Sequence, residues 1–118
     1  MSDTVTIRST AEDDAEIVQR IARRSWHAAY GGFLEADRID DRIDAWYAPE
    51  WLIEDDIDPE DRPFFVAVTD DTVVGFVEAI PEDQKDGVAR LYRIYVDPDY
   101  WHQGIGRALL EHIEHVVQ

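Results

Sequence analysis

Apolar residues first alternate with polar ones, Val5 and Ile7 lying between Thr4, Thr6 and Arg8, which predicts a short half-buried strand. Thr10 then stands three residues ahead of Asp13, a capping-box-like helix start with acid in the first turn. Val18, Ile21, Ala22, Trp26 and Ala29 recur at helical spacing until Gly31 and Gly32 supply a stop. Ile39, Ile43, Trp46 and Tyr47 mark a second helix ending before Pro49. Trp51 to Ile57 reads as a short helix or turn, with an acidic loop running on to Pro63.

From there the period changes. Phe64 to Thr69 is a strand, Asp70-Asp71 a turn, and Thr72 to Ile80 its hairpin partner. A polar loop from Glu82 to Gly87 leads into Val88 to Val96, rich in β-branched and aromatic residues and ended by Pro98. Ala108, Leu109, Ile113, Val116 and Val117 define a last helix. The order is β-α-α-β-β-β-α. Strands that cluster instead of alternating with helices predict an α+β fold with a largely antiparallel sheet.

A chain of 118 residues with 45% apolar and 11% aromatic residues makes one domain, 1–118, with a modest core. Charge is the outlier: 27 Asp and Glu oppose 11 Lys and Arg, a formal net charge of −16, and Lys85 is the only lysine. That balance predicts a halophilic surface, since at about 1 M salt a Debye length of about 3 Å screens its self-repulsion. It disfavours nucleic-acid binding, because no basic patch exists to displace counterions. Absence of cysteine excludes disulfides, thiolate catalysis and cysteine metal sites. No membrane segment and no secretory signal are visible, so the expected location is cytoplasmic.

Chemistry concentrates between Leu91 and Leu110, where a strand, a loop with Gly104 and Gly106, and a helix start follow one another. Glycines let N–H groups converge and a helix N-terminus adds partial positive charge, so the pattern favours a phosphate or pyrophosphate. It is not a P-loop, because no Gly-Lys-Ser/Thr follows. Nor does it fit the dinucleotide fingerprint: Leu109 stands at the third glycine, and the seven residues Asp97 to Gln103 separate strand from glycines.

Tyr95-Val96-Asp97-Pro98-Asp99-Tyr100-Trp101, followed by Gln103-Gly104-Ile105-Gly106-Arg107-Ala108-Leu109-Leu110, closely resembles the acetyl-coenzyme A signature of the GNAT N-acetyltransferase superfamily. That signature is summarised as Gln/Arg-x-x-Gly-x-Gly/Ala. Trp26-His27-Ala28-Ala29-Tyr30-Gly31 resembles the family's first-helix segment, and Val74-Gly75-Phe76 its third strand. The resemblance covers essentially all 118 residues in order. It implies a GNAT-like α/β sandwich with a mixed, largely antiparallel sheet. The chain is expected to be a haloarchaeal-type acidic member lacking the usual C-terminal strands and helix.

By position, the resemblance assigns N–H groups of Gln103, Gly104, Ile105, Gly106, Arg107 and Ala108 to the pyrophosphate. The backbone of Ile94, Tyr95 and Val96 goes to the pantetheine arm, and the Val96 N–H to the thioester carbonyl. Arg107 is the side-chain cation for phosphate. Trp26 and Tyr30 are the residues expected to reach the acceptor. The co-substrate is acetyl-CoA with no metal, and the implied reaction is direct attack by an amine, of a small molecule or a protein, with no covalent enzyme intermediate.

Three departures bear on this reading. Trp101 stands where the motif has Gln or Arg, and His102 where glycine is common, which matters if that position needs φ > 0. Arg90 occupies the place of a glutamate that serves as base in one branch, so Glu78 on the adjacent strand is the substitute candidate, against a plain strand carboxylate. The family's usual general acid would lie beyond Gln118. A fragment, a homodimer completing the sheet by strand exchange, or lost function each account for that, the first being favoured. The rival to an enzyme is a non-catalytic CoA-binding or assembly module. His112 and His115 read as imidazoles favoured at a helix C-terminus, not as a metal site.

Overall fold

The computed structural model of the chain describes residues 5–59, 62–81 and 89–116. Asp70 and Asp71 have φ of 50° and 61°, the left-handed conformations a tight hairpin turn requires and aspartate tolerates. Around that turn β2 (Phe64–Thr69) pairs with β3 (Thr72–Pro81). With β1 (Thr6–Ser9) outside β2 and β4 (Ala89–Val96) outside β3, the sheet is antiparallel throughout, in the order β1-β2-β3-β4.

Helix α1 (Ala15–Tyr30) is followed by α2 (Ala36–Trp46) and the single turn α3 (Pro49–Leu52), which continues as a wide turn over Ile53–Ile57. Helix α4 (Ile105–Val116) closes the described chain. The α+β reading and the element order therefore hold. The loop Glu82–Gly87, Val88 and Val117 lie outside the described residues.

One local expectation fails. Thr10 does not cap α1; its hydroxyl is buried without a partner among the described residues, and a short turn, Glu12–Asp14, precedes the helix. Asp14 does the work one residue further on. Its carboxylate accepts the Ala11 N–H at 2.8 Å and two donors of Arg8 at 2.7 and 3.0 Å. Burial opposes that charge, but Arg8 and the amide hold Asp14 below the usual carboxylate range.

The sheet has a different core on each face. Val18, Ile21 and Ala22 of α1, Ile39 and Ile43 of α2, and Leu52 pack with Val66 and Phe76. Leu109 and Ile113 of α4 pack with Ala67, Val74 and Val77 on the other side. Each Val, Leu, Ile or Phe side chain among these, fully withdrawn from water, contributes about 1.5–3 kcal/mol of burial. Gly75 lies where β4 and α4 close in: a Cβ there would meet the Tyr95 carbonyl oxygen at 3.0 Å and Leu109 Cδ1 at 3.2 Å.

A β-bulge shapes the far end of β4. Glu78 pairs with Arg93 and Ala79 with Leu91, leaving Tyr92 as the extra residue. Neighbours on a regular strand point to opposite faces. Here the bulge turns Tyr92 and Arg93 toward the same cavities beside α2.

Candidate functional site

The loop from β4 to α4 is folded by its own polar groups. Asp97 accepts the Asp99 N–H at 3.0 Å and starts a short turn over Pro98–Tyr100. His102 follows at φ 66°, the conformation that makes glycine common there, and Gly104 sits at φ 81°. The Gly104 carbonyl accepts the Ala108 N–H at 3.0 Å, closing the first turn of α4. The N–H groups of Ile105, Gly106 and Arg107 precede that bond, so they have no partner inside the helix. Ala108 is spent within the helix and has no free N–H to give.

These residues fit a pyrophosphate. A Cβ on Gly104 would meet no protein atom within 4 Å, so the space before it is open. A Cβ on Gly106 would come within 3.7 Å of Val96 Cγ2, which brings the helix start close to β4. The Arg107 side chain is exposed and bonded to Glu111 at 3.1 Å. Such an exposed pair is worth little, and the guanidinium can leave it for a phosphate.

Strand β4 is one of the two sheet edges among the described residues. The Asp97 N–H bonds the Val74 carbonyl at 2.8 Å. Antiparallel pairing alternates, so Tyr95 turns its backbone groups to Phe76, while Ile94 and Val96 turn theirs outward. Ile94 and Val96 thus present an edge to an extended ligand, whereas Tyr95 contributes its side chain. The outward Val96 carbonyl already accepts Ser25 Oγ at 3.0 Å and Trp101 Nε1 at 2.7 Å. That leaves the Val96 N–H as the outward donor at this position.

Asp97 and Asp99 flank a site suited to anions, and Arg24 offsets them. Its guanidinium lies 3.3 Å from Asp97 and 2.8 Å from Asp99. Neither Arg24 nor Ser25 belongs to any motif. Their only sequence signal is a place on the same turn of α1 as Trp26.

Two cavities run along this edge. One of about 420 Å³ lies before Gly104, lined by Tyr30, Ile94, Tyr95, Val96 and Trp101 among others. The next, of about 380 Å³, is lined by Trp26, Trp46, Tyr47, Tyr92, Arg93 and Tyr95. Tyr95 lines both, and its hydroxyl accepts Trp26 Nε1 at 2.9 Å. Trp26 and Tyr30, the two candidates to reach the acceptor, are in contact at 4.9 Å between ring centres. They line different cavities, however.

Glu78 is completely buried and lines neither cavity. Oε1 accepts Arg93 Nε at 2.8 Å, and Oε2 accepts an Arg62 N–H at 2.9 Å. Asp56 bonds the same two arginines at 2.9 and 2.8 Å, giving a quartet of alternating charge. Burial pushes Glu78 up to about 7, although Arg93 pulls the other way. Arg93 also lies over the rings of Tyr47 and Tyr92, 4.6 and 4.5 Å from their centres. Burial holds the Tyr47 hydroxyl well above its usual pKa, although Arg93 pulls it down. His112, at the far side, packs edge-on against Phe65 at 4.6 Å.

A sequence profile described as the acetyltransferase (GNAT) family matches residues 17–118. The chain belongs to the GNAT acetyltransferase family. It is 30% identical over 118 residues to a spermidine N(1)-acetyltransferase of Thermoplasma acidophilum, covering 98% of this chain and 71% of that one. A mycothiol acetyltransferase of Rhodococcus erythropolis is 34% identical over 107 residues, which cover 83% of this chain and 31% of the relative. Among solved structures, the PaiA N-acetyltransferase of Thermoplasma acidophilum in complex with coenzyme A superposes with a TM-score of 0.81 at 28% identity. The match covers 97% of this GNAT chain and 72% of that one.

Proposed function

We propose that this chain is the acetyl-CoA-binding part of an N-acetyltransferase that moves an acetyl group to a primary amine. The observation that carries the reading is the join of two backbone features. Left-handed Gly104 opens the N-terminus of α4 onto a cavity, and the outward-facing edge of β4 at Ile94 and Val96 runs into it. The relatives named as acetyltransferases, one of them solved with coenzyme A, support it.

In this reading the N–H groups of Gln103 to Arg107 hold the pyrophosphate, with Arg107 leaving Glu111 to assist. The Val96 N–H polarises the thioester carbonyl and stabilises the oxyanion as the amine attacks. The C–N bond forms first and gives the oxyanion, whose collapse breaks the C–S bond; the proton that the nitrogen sheds balances the one that the leaving thiolate takes. Ser25 and Trp101 fix the Val96 peptide by its carbonyl, and so position that donor. Trp26 walls the acceptor side, Tyr30 the coenzyme side. Glu78 works at one remove: both its oxygens are engaged, so it acts by holding Arg93 against the acceptor cavity.

The test is thiol release from acetyl-CoA with a panel of primary amines, spermidine included, under salt in which the chain is folded. Amine-dependent release with formation of the acetylated amine supports the proposal. Coenzyme A binding with no release from any amine would support a binding module in its place.

A further inference from the structure

The aromatic cavity is lined by rings and, among the described residues, a single guanidinium. Building on the acetyltransferase reading, we propose that this cavity takes the acceptor as a single basic nitrogen carried on a flat aromatic or apolar body, and disfavours polycationic amines. Tyr95 sets the location, since it is shared with the cavity before Gly104. A nitrogen entering past Tyr95 meets the β4 edge where the Val96 N–H points outward. At about 380 Å³ the space suits one or two fused rings on a short chain.

Charge supplies the discrimination. Among the described residues five rings line the cavity, Arg93 is its one charged residue, and no carboxylate lines it. Aromatic faces ordinarily attract cations. Three of these rings already serve a guanidinium: Arg93 lies over Tyr47 and Tyr92, and Arg42 lies 5.7 Å from the ring centre of Trp46. Burial works against the charge of Arg93, but Glu78 holds it well above the usual guanidinium value, so the cation persists. A second cation on the same rings would face a like charge in partly desolvated space.

The adjoining polar cavity, of about 510 Å³, gives a long polycation little help. Asp56 there is bonded to both Arg62 and Arg93, which among the described residues leaves Asp55 to face two guanidiniums. The same field serves the chemistry. A fixed positive charge beside the entering nitrogen favours its neutral form, which is the form that attacks.

The experiment is calorimetric titration with 2-phenylethylamine, tryptamine, putrescine and spermidine, each with and without coenzyme A, at one salt concentration in which the chain is folded. We expect the aryl amines to bind at least about tenfold tighter than the polyamines, a difference of about 1.4 kcal/mol. Trp46→Ala and Tyr92→Ala, at half-exposed positions, should weaken the aryl amines and leave coenzyme A affinity unchanged, with circular dichroism reporting that each variant is folded. Polyamines binding as tightly as aryl amines, no binding of aryl amines, or indifference to both substitutions overturns the proposal. Aryl-amine binding with no coenzyme A binding sinks the acetyl-CoA reading and leaves this cavity assignment standing.

Discussion

The two ends of β4 are built by different means. At its C-terminal end the site is main chain: a left-handed glycine, a helix start and two outward-facing residues of a sheet edge. At the bulged end it is side chain: Tyr92 and Arg93 turned to one side, and a buried quartet of Asp56, Arg62, Glu78 and Arg93. A backbone site needs glycine and helix signals, which a sequence displays locally. A side-chain site needs residues far apart in the chain, here 56, 62, 78 and 93, to meet. Substitution should therefore damage binding at one end, and stability with its pH dependence at the other.

The largest effect belongs to the quartet. Glu78→Ala leaves two guanidiniums facing one carboxylate inside the protein, and breaking such a buried network costs about 3–5 kcal/mol. Urea unfolding measures it. A loss below about 1 kcal/mol would show the quartet to be solvated and the two ends to be alike.

Gly104→Val is the mirror experiment. Its side chain would enter open space, so the stability loss is confined to backbone strain of about 1–2 kcal/mol. Coenzyme A affinity should fall at least about a hundredfold, or about 2.7 kcal/mol. Retained affinity would move the phosphate site off this loop.

Acidity sharpens the contrast further. A carboxyl raised on folding binds more protons folded than unfolded. The contribution of Glu78 is thus fullest below its free value of 4.5 and drains away as pH climbs through about 7. Glu78→Gln should remove a decline on the order of 2 kcal/mol across that window. Asp14, lowered on folding, acts with opposite sign: its contribution is present above 3.8 and lost as pH falls below it. Parallel stability curves for the protein and Glu78→Gln between pH 4.5 and 7 would contradict the assignment.

Ser25→Ala should have the smallest effect, about 1 kcal/mol of stability, because Trp101 still satisfies the Val96 carbonyl. A drop in acetyl-CoA affinity of a few-fold should accompany it if that peptide carries the oxyanion donor. Unchanged affinity would remove Ser25 from the positioning of Val96.

Much of this was legible beforehand, for reasons that differ by element. The hairpin about Asp70-Asp71, the helices of residues 15–30 and 105–116, and the glycine loop each rest on local spacing and turn chemistry. The positive φ of His102 could be foreseen from its place in the motif. Thr10 misled because its own N–H goes to the Phe64 carbonyl at 2.9 Å, while Asp14, bonded to Arg8, takes the amide of Ala11. Glu78 drew attention as a strand carboxylate, but its burial and both partners depend on the bulge at Tyr92 and on Arg62 arriving from another segment. Arg24 and Ser25 were invisible because only packing of α1 against β4 gives them partners.

Acetyl-CoA calorimetry across a KCl series, with circular dichroism reporting the fold, tests the central claim most directly. A net charge of −16 opposes an anionic ligand at long range, while in the proposed site N–H groups and Arg107 would attract it at contact and Arg24 offsets Asp97 and Asp99. Raising salt to about 2 M shortens the Debye length to about 2 Å and removes mainly the repulsion. The account predicts saturable binding whose affinity stays flat or rises with salt. No binding by a folded chain, or a steep fall in affinity with salt while it stays folded, would contradict it.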